Sequence, residues 1–394
     1  MRVLLVNKFY YNRGGDCTAV FNTERTLRSH GHDVAIFSMQ HPDNIYSVWE
    51  TYFPKEVVFS FSGFLGSLRA IARIFHSREV ARKFRRLLAN FQPHVVHLNN
   101  IHSYLSPLVA QIAHQQGIRV VWTLHDYKLI CPTYACLRQG AVCESCFHQK
   151  SNVVRYKCMK NSHIASILGY LEACYWHQKK LARLTDMFIS PSLFLKTKMT
   201  EAGFDPDQFA VVPNVRPQHL MPSDRKGDYY CYAGRLSEEK GVDTLLEAAS
   251  HLPYPLKVIG GGPLLETCKQ KYANQHITFY GHLSPEELYP LVREARFLVV
   301  PSVWYENNPL SVIEALCMGT PVLGAQIGGI PEMIEERVNG LFFKPGDIAD
   351  LTEKITTCFA FFTDSTNYKK ISADAQNKFG SETFYRKLIN IYES

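Results

Sequence analysis

Carboxylates eight residues apart, Glu306 and Glu314, flank a stretch that reads as the mouth of a helix. Asn308 is a capping residue type, Pro309 suits the first helical position, and Gly319 with Pro321 beyond it marks the end. Glu306 then belongs to the loop before the helix, and Glu314, four residues after Leu310, shares Leu310's face. Free amides at a helix start such as that of Leu310 attract anions, and a carboxylate beside them can accept hydrogen bonds from sugar hydroxyls. Upstream, Arg235 and Lys240 form an R-x4-K pattern across the end of an apolar run and the next helix start. A guanidinium and an ammonium placed there can neutralise a diphosphate as it departs. His125 closes the run VVWTLHD, where side chains emerge at the edge of a sheet, and is assigned a hydrogen-bonding role. Taken singly, each of these residues has a plainer reading as an ordinary surface, turn or structural residue.

The elements that must position them are legible as alternating patterns. Apolar, β-branched runs recur at Val3 to Val6, Val34 to Phe37, Val95 to Leu98, Val120 to Leu124, Met187 to Ser190 and Phe209 to Val212, with helical periodicity between them. A second series runs through Tyr229 to Ala233, Leu256 to Ile259, Ile277 to Tyr280, Phe297 to Val300 and Pro321 to Gly324. This predicts two parallel sheets covered by helices, an α/β protein of two units in series. The polar, proline-containing stretch Pro213 to Gly227 separates them. Ligands of open α/β sheets sit outside the carboxyl ends of strands, so two such sheets facing each other would hold a site in the cleft between them. Gly14-Gly15, after the first strand, can bring backbone close to a ligand, but the doublet is not the G-x-G-x-x-G of dinucleotide binding.

A net charge of +7 over 394 residues does not demand nucleic acid, and none is expected as a partner. No apolar run reaches the ~18 residues needed to span a bilayer, and the opening MRVLLVNKFYY reads as a strand rather than a signal peptide. A cytoplasmic location follows, with a place at the cytoplasmic face of a membrane. For the latter, Phe64 to Leu88 interleaves an apolar stripe with Arg69, Arg73, Arg78, Arg82, Lys83, Arg85 and Arg86. Such a helix can lie on an anionic bilayer or pack its stripe inward. Eleven cysteines without a secretion signal argue against a disulfide scaffold. Five of them cluster, and Cys143, Cys146, Cys158 and one of Cys131 or Cys136 could supply the four sulfurs of a structural zinc site; free thiols explain the same cluster. Asp205-Pro206-Asp207 looks like a turn rather than a metal-binding Asp-x-Asp.

The phrase Tyr305-Glu306-x-x-Pro309-Leu310-x-x-x-Glu314-Ala315, followed by Met318-Gly-Thr-Pro-Val and Gly328-Gly-Ile-Pro-Glu, closely resembles the nucleotide-sugar corner of family-4 glycosyltransferases. Gly234-Arg235-Leu236 with Lys240-Gly241, the Gly260 to Pro263 turn, and Thr123-Leu-His-Asp-Tyr with Cys131-Pro resemble further parts of that family. The resemblance covers nearly the whole chain. It implies a GT-B architecture of two Rossmann-like domains, here 1–213 on the acceptor side and 214–375 on the nucleotide-sugar side. A final segment, 376–394, would return to the first domain through Glu382 to Tyr392. It implies a retaining transfer of sugar from a UDP- or GDP-type donor to a hydroxyl of a glycan or lipid-linked acceptor, in cell-surface polysaccharide biosynthesis, with no cofactor required for catalysis. Glu306 and His125 would act at the donor sugar, and Glu314 on the ribose. Arg235, Lys240, Asn308, Leu310 and the Gly14-Gly15 loop would lie against the rest of the donor. Pro309 stands where many members have glycine and so offers no amide. A nucleotide-sugar epimerase or hydrolase, or a non-catalytic glycan-binding protein, are the alternatives.

Overall fold

The computed structural model describes the chain apart from residues 58–70, 219, 224, 275 and 364–366. Two compact units emerge. The first comprises Met1–Cys136, Cys143–Val215 and Phe384–Ser394, and the second Leu137–Val142 and Arg216–Thr383.

The first unit is built on β1 (Arg2–Val6), β2 (Asp33–Phe37), β3 (Val95–Leu98) and β4 (Arg119–Thr123), and, beyond a short hairpin of β5 (Leu137–Arg138) and β6 (Ala141–Val142), on β7 (Met187–Ser190) and β8 (Phe209–Val211). Its order is β2-β1-β3-β4-β7-β8, all parallel, with Val3 opposite both Val34 and Val95. Helices cover both faces of such a sheet, which is why its strands read as unbroken apolar runs rather than alternating ones. The C-terminal helix Ser381–Glu393 lays Phe384, Leu388, Ile391 and Tyr392 into this unit's core beside Val3, Leu5 and Val95. Tyr392 Oη lies 2.6 Å from His97 Nδ1, and Thr123 Oγ1 lies 2.7 Å from His97 Nε2. Both ring nitrogens are thus partnered, and burial pushes the imidazole down to about 3, so it stays neutral.

The described part of the basic stretch packs its apolar side chains inward. Residues 58–70, including Phe64, Leu68 and Arg69, lie outside the described residues. The helix Arg78–Phe91 turns Val80, Phe84, Leu87 and Leu88 into the interior, capped by Ser77 Oγ accepting from Val80 N at 3.3 Å. Arg73 is buried and pairs with Glu79 at 3.3 Å. An apolar stripe already spent on the core has nothing left to insert into a bilayer.

The second unit carries β9 (Tyr230–Ala233), β10 (Leu256–Ile259), β11 (Ile277–Gly281), β12 (Leu298–Val300), β13 (Val322–Ala325) and β14 (Gly340–Phe343). They form a parallel sheet in the order β11-β10-β9-β12-β13-β14. Its two faces bury separate apolar clusters, one around Tyr230, Val242, Leu245 and Phe297, the other around Val300, Ile313, Leu316 and Tyr368. Among the described residues no helix is long and apolar enough to cross a membrane.

Replacing Tyr392 by Phe leaves one buried His97 nitrogen without its partner. The expected cost is about 1–3 kcal/mol of unfolding free energy, read by urea denaturation followed by circular dichroism. An unchanged midpoint would contradict the account of this hydrogen bond.

Candidate active site

In the second sheet the strand order reverses at β9, whose neighbours are β10 and β12. Loops leaving the carboxyl ends of β9 and β12 therefore lie side by side, at the place where open α/β sheets bind ligands. The approach is close: a Cβ on Gly241, at φ +66°, would stand 1.9 Å from the carbonyl oxygen of Pro301, so only glycine fits there. Val303 N donates to Glu239 O at 3.1 Å, tying the two loops together. Across this seam Lys240 Nζ donates to Glu306 Oε1 at 2.6 Å, and Ser302 Oγ and Trp304 Nε1 donate to the same oxygen at 2.7 and 2.9 Å. The Lys240 ammonium also sits 5.3 Å from the Trp304 ring centre.

Burial pushes the Glu306 carboxyl upward, but the Lys240 ammonium and these three hydrogen bonds outweigh it and hold the group below its ordinary value. Glu306 is only 6 % exposed and stays ionised. All three donors converge on Oε1, leaving Oε2 with no donor among the described residues. The Glu306 backbone is clamped as well: Gly329 N donates to its carbonyl at 2.7 Å, and a Cβ on Gly328 would lie 2.4 Å from that oxygen.

The helix that follows spans Leu310–Cys317, one residue later than the sequence implies. Pro309, not Asn308, is the cap residue: its ψ of 125° is extended, and its carbonyl accepts from Val312 N and Ile313 N. A proline has no amide to lose at either position, so sequence alone does not separate the two registers. Asn308 is buried in the loop before the cap. The first free helical amides are those of Leu310 and Ser311. Glu314 lies one turn further, with Tyr289 Oη 3.5 Å from its Oε1. Burial raises its carboxyl to about 7, against a weaker opposing pull from Tyr289. Arg235 is exposed, its carbonyl fixed by Tyr232 Oη at 2.7 Å, and its guanidinium forms no ion pair among the described residues.

The first unit gathers polar groups at its own reversal point, between β1 and β3. His125, beyond β4, donates from Nε2 to Asn99 Oδ1 at 3.0 Å. Burial lowers its imidazole, although Asp16 and Asp126 pull the other way. Asp16, in the first turn of the helix Gly15–Ser29, accepts from Asn100 Nδ2 at 2.9 Å. Burial opposes its ionisation, but Lys8, His125 and Asn100 together hold it below the usual range. Asn100 Oδ1 is buried with no partner among the described residues, an acceptor open to a ligand hydroxyl. Gly14 caps this helix in extended backbone, φ 177°, so the doublet marks the turn without a left-handed conformation.

Among the described residues no group of three or more His, Cys, Asp or Glu side chains stands where it could hold a metal ion. The thiols instead spend their contacts locally. The Cys136 thiol bonds to Cys131 and lowers it to about 6, Cys131 Sγ lies 3.2 Å from Thr133 Oγ1, and Cys143 Sγ donates to Ser145 Oγ at 3.4 Å. Cys131, Cys143 and Cys158 nevertheless lie near enough to Cys146 to act on its thiol, which burial pushes up. Asp205 accepts from Asp207 N at 3.0 Å, closing a turn as its sequence suggests.

Comparison with known proteins decides the family. Residues 13–215 match the model described as Glycosyltransferase Family 4, and residues 216–377 match Glycosyl transferases group 1. The chain belongs to glycosyltransferase family 4. An uncharacterized 42.6 kDa protein in the cps region of Klebsiella pneumoniae is 25 % identical over 370 residues, 89 % of this chain and 91 % of that one. The sulfoquinovosyl transferase SQD2 of Arabidopsis thaliana is 30 % identical, over 41 % of this chain and 32 % of its own length. Among solved structures, Anabaena HepE in complex with UDP and glucose superposes with a TM-score of 0.68 at 17 % identity, over the full length of both chains. Sucrose-phosphate synthase from Thermosynechococcus elongatus gives 0.71 at 19 % identity, over 100 % of this chain and 98 % of that one. Such likeness establishes the GT-B fold for this glycosyltransferase.

Of the residues singled out by sequence, the structure brings Lys240 to Glu306 and sets Leu310 and Glu314 on the adjoining helix. Ser302, Trp304, Lys8, Asp16, Asn99 and Asn100 were not anticipated. Their common signal is a polar residue within a few positions of the carboxyl end of a buried strand or at the following helix start, beside a sheet's reversal point.

Glu314 makes a pH prediction. Its carboxyl holds a proton more tightly folded, at about 7, than its ordinary 4.5. Its contribution to stability is full below the lower value and is lost as pH rises through the upper one. The difference between the two values corresponds to a loss of roughly 3 kcal/mol. Glu314→Gln should flatten the decline of melting temperature between acid and alkaline buffer. Parallel curves for variant and wild type would refute the shift.

Proposed function

We propose that this glycosyltransferase moves a sugar, with retention of anomeric configuration, from a UDP- or GDP-linked donor to a hydroxyl of a glycan or lipid-linked acceptor in surface polysaccharide synthesis. The observation that carries the reading is the Lys240–Glu306 pair, in which one carboxylate oxygen is saturated by three donors and the other is left for a ligand. Such an oxygen can accept from a hydroxyl of the donor sugar and bear the positive charge that grows on the ring as the bond to diphosphate breaks. Arg235, Lys240 and the amides of Leu310 and Ser311 would take up the negative charge left on the diphosphate, the work a divalent cation performs in other sites.

Glu314 would accept from the ribose hydroxyls, most strongly as a carboxylate, so this contact strengthens as pH rises through about 7. In the first unit, the His125 imidazole, which burial pushes down, and the unpartnered Asn100 oxygen suit uncharged hydroxyls, as expected for carbohydrate. HepE, of the same fold, is described in complex with UDP and glucose, another neighbour is a lipopolysaccharide outer core galactosyltransferase, and the Klebsiella relative lies in a cps region; all three favour the reading.

The test is a panel of UDP- and GDP-sugars, scored for nucleotide release together with acceptor extension. Glu306→Gln and Lys240→Ala should each lower kcat by roughly 10²–10³-fold, the cost of removing one charge-stabilising group. Glu314→Gln should mainly raise the KM for donor. Nucleotide release without extension would instead mark a hydrolase, and wild-type rates in all three variants would overturn the assignment.

A further inference from the structure

The helix His163–Tyr175 is inverted relative to an ordinary surface helix. Ile164, Ile167, Leu171 and Tyr175, spaced three, four and four residues apart, form one stripe on its outer side and are 67, 44, 45 and 43 % exposed. The opposite side, Ala165, Ser166, Gly169 and Glu172, is the buried one. A contiguous apolar stripe on the surface of a chain with well-filled cores signals a partner rather than a packing defect.

The surrounding charge says which kind. Residues 150–184 contain seven lysines and arginines, and their one carboxylate, Glu172, is buried and paired with Lys128 at 2.9 Å. Arg155, Lys157 and Lys160 precede the helix and are exposed, as are Lys179 and Arg183 after it. The Lys180 ammonium stands 4.0 Å from the ring centres of both Tyr175 and Trp176, so positive charge borders the stripe itself. An apolar face about 17 Å long, bordered by cations and with no accessible carboxylate within residues 150–184, matches the boundary between anionic headgroups and acyl chains.

We propose that the face formed by Ile164, Ile167, Leu171 and Tyr175, with its flanking lysines and arginines, docks this glycosyltransferase on an anionic lipid surface. The stripe enters the headgroup layer while Arg155, Lys157, Lys160, Lys179 and Lys180 meet lipid phosphates. A second copy of the chain would cover the apolar stripe but would oppose cations to cations.

The full-length protein is floated with vesicles of phosphatidylcholine alone or mixed equally with phosphatidylglycerol, at about 0.05 M and about 0.5 M salt. The sugar donor is not needed, so failure here is separate from failure of the catalytic reading. Wild type should float with the anionic vesicles at low salt and much less with the zwitterionic ones. I167E/L171E, at exposed positions, should lose roughly tenfold of the bound fraction with its melting temperature unchanged. K179E/K180E should lose the salt-sensitive part. Absence of flotation at low salt overturns the proposal, as does undiminished flotation of I167E/L171E. A dimer in solution that I167E/L171E dissolves, without any vesicle binding by wild type, would overturn it in favour of a second copy.

Discussion

A carboxylate that must remain charged while almost wholly buried is the constraint around which the second unit is arranged. Removing Glu306 from water costs several kcal/mol, and the attraction of a single ammonium does not by itself guarantee repayment. The structure answers with three donors on one oxygen and a glycine pair closing on the backbone behind it. Each of those supports depends on the neighbour. Lys240 reaches Glu306 because the loop after β9 lies against the loop after β12, and it can lie there because residue 241 has no side chain. Replacing a buried ion pair with apolar residues often leaves a fold no less stable. In the proposed transfer, a pair with this much structure devoted to it would serve as preorganised charge rather than as a stabilising contact.

Glu306 and Glu314 show how burial sorts two like groups into different work. Both are shielded from water, yet only Glu306 has a cation and strong donors, and only Glu314 is pushed up to about 7. The first is a permanent anion, and the second changes between carboxylic acid and carboxylate near neutral pH. In the first unit Asp16 is held ionised through Lys8, His125 and Asn100, whereas burial raises Asp126. Both sheets thus place fixed charge and neutral hydrogen-bonding groups at the point where their strand order reverses, the one place in an open α/β sheet where adjacent loops diverge and leave a crevice.

Strands were the most legible part of the chain, because a strand buried on both faces announces itself as a continuous apolar run. The exceptions have local causes. β14, Gly340–Phe343, begins on a glycine after a polar stretch, and β5 and β6 have two residues each, too short to show any period. The Lys240–Glu306 contact was legible only as a family resemblance, since nothing in a 66-residue separation predicts that two loops meet. The stripe of Arg78–Phe91 and the stripe of His163–Tyr175 both have helical spacing, and sequence cannot say which one faces inward. Packing decides: the first fills the core and the second does not.

The two sides of His163–Tyr175 connect a surface property to the interior of the first unit. Glu172, on the buried side, accepts from Ser103 Oγ at 2.7 Å and pairs with Lys128 at 2.9 Å. Lys128 is two residues beyond Asp126, and its backbone amide donates to the Asp126 carboxylate at 2.9 Å. His102, beside Ser103, has its Nε2 3.7 Å from the same Oδ1. The helix is therefore fastened, through one buried carboxylate, to the strand end that carries His125 and Asp126. A rigid connection of this kind would hold the polar cluster in a fixed orientation relative to any surface on which the exposed stripe rests. Were the acceptor anchored in the lipid of the proposed docking surface, fixing that orientation would reduce the freedom lost when the acceptor hydroxyl meets the donor, because part of it is already surrendered on docking.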